Sequence, residues 1–244
     1  MPSSPEFTTV LLPGLACDAE LWRDQQAVLA PRYAPRVANV HTRAGSLPEM
    51  GELLLADHPG PLVLIGASSA MRPPMEAARR APERVRGLAL LGSTARADSD
   101  ELRALRSQAI VEFESGRGDD LLDANVWFVF HRRAWDDEAL LARYRAMVAR
   151  AGFEQLVRQN RALIAAHDLR SALRAIACPT LVMCGDADGV TPPECSRELA
   201  AAIPGAHLEW VAECGHMLTM EQPKAVNARL LPWLAALERG SGAG

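Results

Sequence analysis

Ser68, Asp188 and His216 are a hydroxyl, a carboxylate and an imidazole in that chain order, in IGASSAMRPPM (65–75), GDADGVTP (185–192) and ECGHMLT (213–219). A free serine hydroxyl is a weak nucleophile near neutral pH and needs a base to take its proton. An imidazole can be that base, and a carboxylate can hold the ring in the right tautomer. Together the three could attack a carbonyl carbon and release an acyl group to water. Taken singly, each has a blander use. A serine in a Gly/Ala/Ser turn usually serves the turn, and Asp188 alone suits a turn or an N-cap before Thr191-Pro192. Asp186 is a second acid within reach. The remaining histidines, His41, His58, His131, His167 and His207, have no such context.

The elements that must position these residues alternate. FTTVLL (7–12) is a short strand that stops at Pro13-Gly14, and Asp18 is placed to cap the helix DAELWRDQQAVLA. RVANVHT (36–42) reads as a second strand and LPEMGELLLADH as a second helix. PLVLIG (61–66) and VRGLALLG (85–92) are apolar almost throughout, as strands buried on both faces must be. PTLVMCG (179–185) and HLEWVA (207–212) are further strands, followed by helices at PPECSRELAAAI and QPKAVNARLLPWLAALE. The alternation predicts an α/β fold with a doubly wound, mostly parallel sheet. From about 98 to 175 only helical stretches occur: SDELRALRSQAIVEFESG, DDLLDANVWFVFHRRA, DDEALLARYRAMVARAG and FEQLVRQNRALIAAH. The expected organisation is a core of 1–97 and 176–240 interrupted by a helical cap over 98–175. Ser68, Asp188 and His216 each follow a different strand, at the carboxyl ends where parallel sheets carry their sites.

Composition narrows the classes. The 244 residues are 49% hydrophobic and 23% charged, with a net charge of −4, which describes a globular chain and argues against a nucleic-acid partner. No basic leader followed by an apolar stretch opens the chain, and no run of about 18 apolar residues appears, so neither export nor a membrane partner is expected. The five cysteines are odd in number and lack CxxC spacing, which predicts reduced thiols, a cytoplasmic protein and no metal site. Cys214, beside His216, reads as buried filler. Composition leaves the oligomeric state open.

The chain resembles the α/β-hydrolase fold superfamily over nearly its whole length. The resemblance rests on G-x-S-x-A at 66–70, on G-x-x-D-x-x-T-P at 185–192, on GHMLTMEQP at 215–223, and on RAPERVRGLALLGSTA after the first of these. It implies an esterase-like serine hydrolase that needs no cofactor. It implies Ser68 as nucleophile, His216 as base and Asp188 as the orienting acid. It also implies an oxyanion hole made by the backbone N–H groups of Leu15 and Ser69. A carboxylic ester, or a related carbonyl compound, would be the small-molecule substrate. The aspartate-nucleophile branches, such as dehalogenases and epoxide hydrolases, are disfavoured because residue 68 is serine. Trp127, Phe128, Phe130 and Trp135, in the cap, are candidates for the pocket wall or for the cap's own core.

One stretch departs from the family pattern. Relatives usually read S-M-G-G, whereas this chain reads S-S-A-M-R-P-P-M. Small residues are needed two before and two after the nucleophile; Gly66 and Ala70 satisfy that for Ser68, while Met71 excludes Ser69. Pro73 and Pro74 predict a helix that starts late, near Met75, or begins as a distorted turn. The site then either tolerates the change, is impaired, or is an altered elbow. An impaired site would make the protein a binding module on the same fold. A carbon–carbon bond hydrolase or perhydrolase would use the same three residues.

Overall fold

The computed structural model describes residues 5–241. A single six-stranded sheet, all parallel, has the order β2-β1-β3-β4-β5-β6. In chain order its strands and helices are β1 (Thr8–Leu12), α1 (Arg23–Tyr33), β2 (Arg36–Val37), the single turn α2 (Val40–Arg43), α3 (Leu47–Asp57) and β3 (Leu62–Ala67). Then come α4 (Arg72–Arg80), β4 (Val85–Leu91), α5 (Asp100–Glu114), α6 (Gly118–Val129) and α7 (Glu138–Ile164). The chain closes with β5 (Thr180–Gly185), α8 (Pro193–Ala202), β6 (His207–Val211), the turn α9 (Leu218–Glu221) and α10 (Pro223–Ser241).

The winding direction reverses between β1 and β3, so the loops after these two strands face each other across a switch point, where α/β folds place ligands. Every residue of β3 and of β5 is buried, which explains their unbroken apolar sequences. Two apolar clusters, one on each face of the sheet, form the core. The edge strand β6 leaves Trp210 partly exposed, with Arg197 stacked over its ring.

The structure shortens one expected strand. Of residues 36–42 only Arg36 and Val37 pair with β1; the chain then turns into α2, where Thr42 donates to the Asn39 carbonyl. Local side-chain bonds of this kind compete with ladder pairing. Asp18 does cap, accepting the Glu20 N–H at 2.8 Å, but the cap opens a 3₁₀ turn, Ala19–Trp22, ahead of α1.

The segment between β4 and β5 is helical and holds no strand among the described residues. The two helices expected on either side of residue 152 are both present as the two arms of α7, separated by the non-helical backbone of Gly152 with φ of 72°. Arg143 of α7 reaches Glu20 and Asp24, and Arg150 reaches Asp18, so the segment is tied to the start of α1. No helix of the described residues is long and apolar enough to cross a membrane.

Candidate active site

The turn after β3 decides how Ser68 is presented. Ser68 has φ of +60°, a left-handed conformation that costs a residue with a side chain of order 1–3 kcal/mol and recurs at functional sites. Gly66 makes the turn sterically possible, because a Cβ there would lie 3.1 Å from Leu12 Cβ and collide with Met71 Sδ. Ser68–Met71 form a 3₁₀ turn, and α4 begins at Arg72 rather than near Met75. Of the two expectations raised by the prolines, the late start near Met75 is corrected and the distorted turn is what the chain forms. The 3₁₀ turn shifts the helix frame so that Pro73 and Pro74 fall in its first turn. The N–H groups there have no intrahelical partner to lose.

Arg72 is buried and donates to the carbonyls of Arg96, at 2.7 Å, and His167. Those carbonyls lie at the two ends of the helical segment, so the start of α4 is pinned to both.

Asp188 and His216 come together. His216 Nδ1 lies 2.9 and 3.0 Å from the two Asp188 carboxylate oxygens. A carboxylate can only accept, so Nδ1 carries the proton and the lone pair is left on Nε2. Asp188 Oδ1 also accepts the N–H of Val190 and of Thr191, and Oδ2 accepts the Thr191 hydroxyl at 2.8 Å. Burial alone would raise the Asp188 carboxyl, but the His216 ring and these donors outweigh it and hold its pKa below the ordinary carboxylate range. Gly92, just past β4, leaves the space for the pair: a Cβ there would lie 3.1 Å from Asp188 Oδ2 and 3.2 Å from His216 Nδ1.

The two acids that compete in the sequence do different work. Asp186 accepts the backbone N–H of Glu213 and of Cys214, holding the loop after β6. Only Asp188 of the two bonds the imidazole. Glu221, in α9, accepts the N–H groups of His131, Gly215 and Met217 at 2.8 to 3.1 Å. Burial raises its carboxyl although the three donors pull the other way. The His216 N–H donates to the Val129 carbonyl at 2.8 Å. The end of α6 and the histidine loop thus hold each other. Cys214 is fully buried and its thiol is pushed up, chiefly by burial.

The loop after β1 packs on the Ser68 turn. A Cβ on Gly14 would lie 3.2 Å from Ser68 Cβ and from the Ala67 carbonyl oxygen. Among the described residues the Leu15 N–H has no hydrogen-bond partner. Ser93, next to Gly92, donates to the Ser68 carbonyl at 3.2 Å and so links the Ser68 turn to the strand end beside Asp188 and His216. Among the described residues no hydrogen bond joins the Ser68 hydroxyl to His216. The backbone of Ser69 lies in the 3₁₀ turn, and its side chain is outside the described residues.

Of the four aromatic residues read as pocket wall or cap core, one is buried in the core and three are exposed. Trp127, Phe128 and Trp135 are exposed, the two tryptophans packed edge-on at 4.9 Å, and Phe130 is buried against Tyr144 at 5.1 Å. The cavity beside the Ser68 turn is lined instead by Pro13, Gly14, Leu15, His41, Ala70 and Gln159, with aliphatic side chains closing it. His41, without context in the sequence, bonds the Cys17 carbonyl at 3.1 Å.

A family model described as "Alpha/beta hydrolase family" matches residues 9–229. The chain belongs to the alpha/beta hydrolase family. Among its relatives is "Putative carbamate hydrolase RutD" of Yersinia enterocolitica, 25% identical over 249 residues, which span 95% of this chain and 89% of that one. A RutD of Serratia proteamaculans is 37% identical over 83 residues, 34% of this chain and only 31% of that protein's length. Two solved structures share the fold. A thermophilic esterase from Thermogutta terrifontis superposes with a TM-score of 0.83 at 23% identity, covering 97% of this chain and 92% of its own. An enol-lactonase from Burkholderia xenovorans gives 0.82 at 24% identity, covering 94% and 92%. At the level of the family, the match supports hydrolase activity.

Proposed function

We propose that this hydrolase cleaves a carboxylic ester or a related carbonyl compound through Ser68, His216 and Asp188. The observation that carries the proposal is the buried Asp188–His216 bond, which leaves the Nε2 lone pair free beside a sheet end where Ser68 is held at positive φ. His216 Nε2 takes the Ser68 proton as Oγ attacks the carbonyl carbon. The tetrahedral oxyanion accepts from the Leu15 and Ser69 N–H groups; the Leu15 N–H, without a partner among the described residues, supports that role, and each such donor is worth roughly 3–4 kcal/mol to the transition state. Imidazolium then protonates the leaving group, and the acyl-enzyme is hydrolysed by water activated by the same base. The helical segment between β4 and β5 serves as the cap. No step needs a metal or cofactor.

The Ser68–His216 hydrogen bond closes when substrate binds, since such bonds are often loose in the unliganded enzyme. Full-length similarity to a protein named as a carbamate hydrolase favours testing carbamates beside esters, because the same attack on a carbamate carbonyl gives a carbamoyl-enzyme. The test is hydrolysis of short-chain p-nitrophenyl esters and carbamates by wild type, Ser68→Ala, Ser69→Ala and His216→Ala. Turnover lost in Ser68→Ala and His216→Ala but kept in Ser69→Ala supports the mechanism. Turnover that survives Ser68→Ala refutes it. Substrate profiling separates it from carbon–carbon cleavage or perhydrolysis, which would use the same residues.

A further inference from the structure

Gln159 of α7 is the one polar side chain of the helical segment that lines the cavity beside the Ser68 turn. It is 3% exposed. Its Oε1 accepts the N–H of Ala16 at 2.9 Å, in the loop that carries Leu15. A backbone N–H can only donate, so this contact fixes which end of the carboxamide faces the loop. Nε2 is thereby turned away from it, and Nε2 is buried with no hydrogen-bond partner among the described residues. Buried donors left unmade are rare and call for an explanation. Ala16 is itself held at φ of +60°, so the bond from Gln159 steadies a strained loop at the same point.

We propose that Gln159 is a substrate-binding residue whose Nε2 donates to a hydrogen-bond acceptor on the acyl portion of the substrate. This rests on the hydrolase reading above. The acyl side is indicated by the cavity walls. They include Ala70 of the Ser68 turn and the Gly14-Leu15 turn, which packs against Ser68 and carries the N–H assigned above to the oxyanion. The leaving group has to lie at His216, which protonates it. The acceptor is neutral, because no lysine or arginine lines the cavity; an ether, ketone or hydroxyl oxygen fits and a carboxylate does not. The chain that carries it is short, because Leu47, Met50, Ala162 and Leu163 close the cavity.

The test compares p-nitrophenyl methoxyacetate with p-nitrophenyl butyrate, whose acyl chains have the same number of non-hydrogen atoms and differ by one ether oxygen. The quantity read is the ratio of their kcat/KM values in wild type, Gln159→Glu and Gln159→Met. Differences in intrinsic ester reactivity cancel between enzymes. Glu keeps an acceptor for the Ala16 N–H but has no N–H to offer; Met removes both and introduces no charge. The preference for methoxyacetate is expected to fall about tenfold in both variants, the size of one lost hydrogen bond. A ratio unchanged in both overturns the proposal. Fluorophosphonate labelling of Ser68 in the same samples separates the two levels. Labelled Ser68 with an unchanged ratio removes only the role of Gln159. Unlabelled Ser68 in a wild type that hydrolyses neither ester removes the hydrolase reading and this inference with it.

Discussion

The Asp188–His216 side and the Ser68 side of the site are built by different means. Asp188 is fixed by side-chain and backbone donors: the His216 ring, the Val190 and Thr191 N–H groups and the Thr191 hydroxyl. Its histidine loop is fastened again by Asp186 and Glu221. Ser68 is fixed by backbone conformation instead. Its positive φ lies at the junction between a buried strand on one side and a 3₁₀ turn on the other. One arm is held by a redundant hydrogen-bond network and the other by steric limits. A network shows itself in the sequence as a motif, whereas steric limits tolerate unusual residues if the frame shifts to suit them.

The largest effect that would break this comparison is at the serine. Ser68→Ala is expected to lower kcat by at least about 10⁴-fold, with folding intact by circular dichroism. Asp188→Asn comes next, at about 10³- to 10⁴-fold, because the amide would support the wrong imidazole tautomer. It also gives a pH signature. The Asp188 pKa is depressed in the fold, so its contribution to stability is present above the ordinary carboxylate pKa and is lost as pH falls through the depressed value. Acid denaturation followed by fluorescence should show wild type losing more stability across that window than Asp188→Asn. An equal loss in both would mean that the network does not hold the acid.

Smaller effects sharpen the contrast. Glu221→Gln keeps the shape but replaces a carboxylate that accepts three N–H groups, and is expected to cost about 1–3 kcal/mol, or several degrees in Tm. The double change Pro73→Ala, Pro74→Ala is expected to lower stability by only about 1–2 kcal/mol, through a more flexible unfolded chain, and to change kcat/KM by less than a few-fold. A large gain in activity in that variant would show that the prolines impair the turn after all.

What was legible in the sequence follows the same division. The order serine, acid, histidine stood out because each residue closes an apolar run, and parallel strands bring such ends to one edge. The spacing to Thr191 separated Asp188 from Asp186, and the structure gives the reason: Thr191 bonds Asp188 with both its N–H and its hydroxyl. The prolines marked a distorted start to the helix, but their type alone did not choose between a 3₁₀ turn and a late start. Gln159 left no signal, since a glutamine in EQLVRQNR looks like any polar helix residue until α7 is laid against Ala16. The cap aromatics drew attention by type, but which helix face meets the core depends on packing that type does not encode.

Labelling with a fluorophosphonate probe, read by mass spectrometry of the tryptic peptides, tests the central claim most directly. An adduct on Ser68 that forms in wild type, and forms far more slowly in His216→Ala, is the expected result. An adduct on Ser69, or no adduct on a folded protein, would contradict it.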